Sequence, residues 1–195
     1  MMLRKNALTL AVALLAITVA SARADVKIGD KAPGFASLPT VDGKKVSLDD
    51  YKDAKAVVLV FTCNACPVAV AYEDRFVEFT KKYADKGVKF VAINSSPSED
   101  LEKMKQRAEE KGFNYAYAYS EEGTCAEEFG AKVTPHIFVL DKDRKVVYKG
   151  AFDDNQNDSK VEKHYVADAV DAVLAGKSVP VAETKAVGCG LRTKK

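Results

Sequence analysis

The 195-residue chain has no tryptophan, only two histidines and only four cysteines. Four cysteines are too few for a disulfide scaffold at this length. Two histidines and a single CxxC leave half of any structural zinc site unsupplied. A basic excess is also missing. Thirty lysines and arginines face 28 acidic residues, a formal net charge of +2, and the longest basic runs are pairs such as Lys44-Lys45 and Lys81-Lys82. That removes the electrostatic basis for binding nucleic acid. Nor is there an apolar run of the ~20 residues needed to cross a bilayer. Disorder is excluded by what remains, 47% hydrophobic residues with little net charge. The length suits one ordinary domain, and no repeat, low-complexity tract or long linker divides it.

The first 24 residues read as a cleavable signal. Arg4 and Lys5 precede an uncharged stretch from Ala7 to Ala20, and Ala22-Arg23-Ala24 supplies small residues at the two positions a signal peptidase reads. The alternative is an uncleaved N-terminal anchor. No cysteine precedes Cys63, which excludes a lipid-anchored cysteine at the junction. Cleavage leaves 27 basic against 28 acidic residues, so the slight basicity belongs to the signal. The expected organisation is a signal over 1–24, one domain over 25–178 and a tail over 179–195. The expected location is periplasmic or secreted, with no stable membrane insertion after cleavage, where disulfides are permitted.

Along the mature chain, Asp42-Gly43 marks a tight turn in an N-terminal hairpin. The continuous apolar, β-branched run from Ala56 to Phe61 suits a strand buried on both faces. Val68, Tyr72, Phe76, Phe79 and Tyr83 then form the stripe of an amphipathic helix that Gly87 ends. Val88 to Asn94 is a second core strand. Ser96-Pro97-Ser98-Glu99 has the pattern of a capping box opening the next helix, which stops before Gly112. Tyr115, Tyr117 and Tyr119 alternate with alanines as a strand does. Thr124 with Glu127 is a second capping pattern, for a short helix closed by Gly130. Ile137–Leu140 and Val146–Lys149 read as a hairpin, and Ser159 with Glu162 caps a last helix carrying Val166, Val170, Val173 and Leu174. The order is hairpin, β, α, β, α, β, α, β, β, α. Buried strands alternating with amphipathic helices predict a three-layer α/β/α sandwich around a mixed sheet.

Cys63-Asn64-Ala65-Cys66 falls where the first core strand gives way to a helix. Free backbone N–H groups and the helix dipole favour a thiolate there. Cys63 is thus the candidate nucleophile. Cys66, one turn further in and less exposed, is the candidate resolving thiol of a redox-active pair. A permanent local disulfide and half a zinc site are the bland alternatives; a CxxC after a buried strand in a βαβ pattern points to redox chemistry. No metal site and no cofactor is expected. Pro135 stands just before a core strand, where proline needs a special turn or the strand's first position. A cis Thr134–Pro135 bond would turn the Thr134 backbone toward the cysteines and offer an edge to an extended peptide, so Thr134 and Pro135 are the candidate substrate-binding residues.

CxxC after the first core strand, Thr-Pro before a late hairpin and an N-terminal hairpin together resemble the thioredoxin superfamily. Gly29-Asp30-Lys31-Ala32-Pro33-Gly34-Phe35 and Asp42-Gly43-Lys44-Lys45-Val46-Ser47-Leu48 are similar to the opening of its redoxin branch. Thr62-Cys63-Asn64-Ala65-Cys66-Pro67, Ala71-Tyr72-Glu73-Asp74-Arg75 and Val187-Gly188-Cys189-Gly190-Leu191 resemble the peroxiredoxin-like subgroup with a TCNxCP motif. The likeness extends over residues 25–191. It implies a thioredoxin-like fold, the nucleophile role for Cys63, the resolving role for Cys66 and a cis Pro135. The chain departs from the pattern in four places. Thr62 replaces the tryptophan before thioredoxin's CxxC, the central strand has no buried acid, and Ala65 stands where the subgroup often has histidine. The peroxiredoxin threonine, three residues before the peroxidatic cysteine, has no counterpart. These departures favour disulfide exchange with protein partners or small thiols over a thiol peroxidase acting on peroxides. A copper-binding chaperone, using both cysteines and a histidine for Cu(I), is the rival of a different class.

Lesser candidates complete the expectations. Cys125 and Cys189 are auxiliary or structural cysteines, either paired to pin the tail or with Cys189 resolving Cys63. His136 is a tuning residue or a strand-start histidine. Glu73 is a proton relay or a solvated helix-flank carboxylate. The stretch 153–158 has a calcium loop's composition without its glycine or distal glutamate, and reads as a turn.

Overall fold

A computed structural model describes residues 25–193. The expected signal, residues 1–24, lies outside the described residues, and among those described no helix is long and apolar enough to cross a membrane.

Strands β1 (Leu38–Pro39) and β2 (Lys45–Val46) form the N-terminal hairpin. Gly43 at its turn has φ +80°, a conformation that favours glycine. The core begins with β3 (Ala56–Thr62), whose residues 56–61 are fully buried. Then follow α1 (Pro67–Val70), α2 (Glu73–Tyr83), β4 (Val88–Asn94), α3 (Leu101–Lys111), β5 (Ala116–Tyr119) and α4 (Thr124–Phe129). Strands β6 (Val133–Thr134), β7 (His136–Asp141) and β8 (Val146–Gly150), helix α5 (Tyr165–Leu174) and strand β9 (Cys189–Gly190) complete the chain.

The central sheet runs β5-β4-β3-β7-β8, with β3, β4 and β5 parallel and β7 and β8 antiparallel. Alternation along β3 sends its side chains into two cores. Val58 and Val60 pack with Phe76 of α2, Met104 of α3 and Val166 of α5. Val57, Leu59 and Phe61 pack with Ala126 and Phe129 of α4 and with Phe35 and Val46. These are the three layers that the order of elements predicts.

The helix starts differ from the sequence reading. Helix α3 is capped by Asp100, which accepts from the Lys103 amide at 2.9 Å, and Glu99 points elsewhere. Helix α4 begins directly after Gly123, with no side-chain cap from Thr124. Ser159 belongs to a 3-10 turn whose cap is Asn157, and α5 starts only at Tyr165. Asp100 and Asn157 each offer a better-placed side-chain oxygen than the predicted cap, whereas α4 and α5 start with no side-chain cap at all. The apolar stripe from Val68 to Tyr83 is also broken. The Tyr72 amide turns back to the Ala69 carbonyl (3.0 Å), and the Arg75 guanidinium donates to Ala71 O (3.3 Å), interrupting the helical ladder. The same Arg75 pairs with buried Asp153 (2.5 Å) and donates to the carbonyls of Asn155 and Gln156, so the stretch 153–158 is a turn pinned to α2.

Residues 179–193 have no sequence periodicity, yet they are bonded to the sheet. Lys149 N donates to Ala182 O (3.1 Å), Thr184 N donates to Lys149 O (3.0 Å), and β9 pairs antiparallel with β6.

Glu73 is neither a relay nor solvated. It is 5% exposed and takes a two-pronged hydrogen bond from Arg107 at 3.0 and 2.6 Å, tying α2 to α3. Glu73→Ala leaves the half-buried guanidinium unpaired and should cost about 3 kcal/mol of stability. A urea midpoint within error of the parent chain would show that the pair holds nothing.

Candidate redox site

Cys63 follows the end of β3, and Cys66 is the N-cap residue of α1, with its sulfur accepting from the Ala69 amide at 3.5 Å. Pro67 at the first helical position loses no hydrogen bond and fixes the helix start. Cys63 is partly exposed, and Cys66 is 2% exposed behind it.

Thr134 and Pro135 face this pair, and the peptide bond between them is cis. The Thr134 hydroxyl stands 3.4 Å from Cys63 Sγ, and the Cys66 thiol donates to Thr134 O at 3.0 Å. The four residues predicted for the site are therefore together. Beside them a hollow of about 310 Å³ is lined by Val68, Tyr72, Pro135, Ala151, Phe152 and Val187, among others.

The electrostatics differ from the expectation. The amides of Asn64 and Ala65 both donate to the Glu99 carboxylate at 3.1 Å and so are not free to favour a Cys63 thiolate. Glu99 is 8% exposed and also takes a bond from the Asn94 amide (2.7 Å). Asn94 donates to the Tyr117 oxygen (3.0 Å), and Tyr117 donates to Asn64 Oδ1 (2.7 Å), closing a ring of buried polar groups under the loop. Burial pushes the Cys63 thiol above its ordinary value, the Thr134 contact offsets part of that, and the Glu99 charge adds to it. Cys66 moves the other way. Burial opposes its thiolate, but its contacts with Cys189, the Ala69 amide and Thr134 outweigh that cost.

Glu99 was missed because its place in Ser96-Pro97-Ser98-Glu99 matches a capping box. The available signal was Asp100, a stronger N-cap candidate one residue on, which leaves Glu99 spare.

The remaining candidates separate. Cys125 is 3% exposed in the apolar cluster with Phe61 and Phe129, and burial pushes its thiol far up, as for an inert core cysteine. It does not pair with Cys189, whose sulfur lies 2.6 Å from that of Cys66. The reason is backbone pairing: β9 aligns Cys189 with Thr134 and so carries the thiol to the CxxC. The His136 ring lies tilted against Phe138 (4.7 Å between centroids), with its buried Nδ1 unpartnered, in a hollow of about 220 Å³ that also touches Lys132, Lys149 and Glu183. Burial and the two lysines hold it down to about 4. It supplies no ligand beside the cysteines, and among the described residues no group of three or more His, Cys, Asp or Glu is placed to hold a metal ion.

A partly exposed thiol, a buried second thiol one helical turn on and a cis-proline backbone beside them can carry out thiol–disulfide exchange. The comparisons agree with that chemistry. The thiol-disulfide oxidoreductase ResA of Bacillus anthracis is 30% identical over 125 residues, 63% of this chain and 68% of that protein. An uncharacterized conserved protein from Geobacillus kaustophilus superposes with a TM-score of 0.80 at 36% identity, over 86% of this chain and 93% of its own. A hypothetical protein of Sinorhizobium meliloti 1021 gives 0.81 at 32% identity, over 88% and 97%. The Redoxin family matches residues 27–165, and the chain belongs to that family.

Proposed function

We propose that the protein is an exported thiol–disulfide oxidoreductase in which Cys63 exchanges with protein disulfides or small thiols and Cys66 resolves the mixed disulfide. The observation that carries this reading is the difference in access between two thiols held against one residue. Cys63 is partly open and touches the Thr134 hydroxyl, whereas Cys66 is closed and touches the Thr134 carbonyl. A partner's extended segment laid against Thr134–Pro135, with a side chain in the adjoining hollow, brings its sulfur to Cys63 and not to Cys66. Cys63 attacks, the partner's second sulfur leaves, and Cys66 then displaces the partner and closes the Cys63–Cys66 bond.

Glu99 poises the pair toward the reducing side. A raised Cys63 thiol makes the reduced form less acidic and the Cys63 sulfur a poorer leaving group, the reverse of what makes a strong oxidant. Export is supported by Arg4 and Lys5, the apolar stretch and the alanine junction, which ends immediately before Asp25.

Three outcomes are expected. Edman sequencing of protein recovered from the periplasm begins at Asp25; an intact N-terminus on the mature product would point to an anchor. Glu99→Gln removes the charge beside Cys63 and lowers its pKa. The alkylation profile of Cys63 in this variant should shift to lower pH, and the potential of the couple should become more oxidising; an unmoved profile removes Glu99 from the site. Finally, in a Cys189→Ser background, Cys66→Ser accumulates protein partners disulfide-linked to Cys63, and Cys63→Ser accumulates almost none. Rapid peroxide turnover with no trapped proteins in either variant would replace this reading by a thiol peroxidase.

A further inference from the structure

Three of the four cysteines meet at one point, and the third arrives by a built route. β9 sets Cys189 opposite Thr134, and Leu191 N beyond it donates to Lys132 O at 2.9 Å. Gly188 passes β6 so closely that a Cβ there would lie 2.0 Å from the Thr134 carbonyl oxygen. Only glycine allows that approach, and the approach puts the Cys189 sulfur 2.6 Å from Cys66 Sγ. Cys66 is thus flanked by Cys63 from its own loop and by Cys189 from the tail, with Thr134 touching or pairing with all three.

We propose that Cys189 is a third redox-active residue, and that the protein's disulfide moves between Cys63–Cys66 and Cys66–Cys189. The inference rests on the reading of Cys63 and Cys66 as an exchange pair. In the step, the Cys189 thiolate attacks Cys66 Sγ of the Cys63–Cys66 disulfide. The Cys66–Cys189 bond forms, the Cys63–Cys66 bond breaks, and its electron pair leaves on the Cys63 sulfur. Cys63 takes up a proton to replace the one Cys189 gave to water. No electrons enter or leave the protein, so the step needs neither oxidant nor reductant. In the reduced protein the bond to Cys66 pushes the Cys189 thiol up. Once Cys66 is in a disulfide, that restraint is gone and Cys189 is the freer nucleophile.

The exchange gives the oxidised protein two ends. In one isomer the outer sulfur of the disulfide is Cys63, in the cleft beside Pro135. In the other it is Cys189 on the tail, and Cys63 is again a free thiol.

The test uses the mature chain carrying Cys125→Ser, oxidised with glutathione disulfide, alkylated and mapped with trypsin without reduction. Peptide 56–75 contains both Cys63 and Cys66, and peptide 186–192 contains Cys189. The first isomer leaves 56–75 lacking two hydrogens; the second joins the two peptides, with Cys63 alkylated. Both species are expected. Cys63→Ser should give the joined peptides alone. Gly188→Ala, which keeps every thiol, should lose the joined peptides and keep the Cys63–Cys66 bond. Joined peptides absent from the parent chain and from Cys63→Ser, or undiminished by Gly188→Ala, would overturn the proposal. A Cys189→Ser chain unable to form the Cys63–Cys66 bond would defeat the exchange-pair reading instead, so the two failures are distinguishable.

Discussion

Thr134 meets the cysteines through three different parts of itself. Its hydroxyl touches Cys63, its carbonyl accepts from Cys66, and its strand pairing aligns Cys189. The cis bond to Pro135 lies between β6, paired with β9, and β7 of the central sheet. The consequence is geometric economy. A residue on one loop fixes the separation of sulfurs contributed by a second loop and by the tail. Displacing Thr134 would disturb all of them together, whereas moving any one cysteine leaves the other contacts intact.

Beneath that contact lies the Glu99 ring. A helix N-terminus ordinarily lends positive potential to a neighbouring thiol. Here the amides of Asn64 and Ala65 are already paired with a buried carboxylate, so the loop gains rigidity while the thiolate keeps only the Cys66 amide and the Thr134 hydroxyl for support. Asn94 completes the carboxylate's bonding, Tyr117 links Asn94 to Asn64, and both are almost wholly buried, which is how a charge is tolerated at that depth. β3 carries no acid, and the buried acid beneath the cysteines comes from the segment after β4.

The layered fold was legible in the sequence because it is written in periodicity. The unbroken apolar run of β3, the alternation of β5 and the stripe on α2 each state which face is buried. The proposed exchange pair stands out in the sequence because Cys63 and Cys66 lie three residues apart in a recognisable place. What could not be read depends on distant partners. Glu99 and Asn64 are 35 residues apart and Cys66 and Cys189 are 123 apart, with no local pattern announcing either meeting. Glu73 looked like a surface residue for the same reason: its partner Arg107 sits on another helix. Local capping patterns also misled, since three-residue signals are satisfied by turns as readily as by helices.

The docked tail has a counterpart at the other end of the sheet. Val41 N donates to Tyr117 O at 3.1 Å, so the N-terminal hairpin covers β5 just as residues 182–184 cover β8. Both outermost strands therefore have part of their hydrogen-bonding edge occupied by the chain's own termini. An incoming peptide finds little open edge on which to add itself as a further strand, and copies of the protein find little template for stacking edge to edge. On the proposed function, a partner would then dock at the turn at Thr134–Pro135 rather than on an outer strand, and the same covering would steer both stacking and docking.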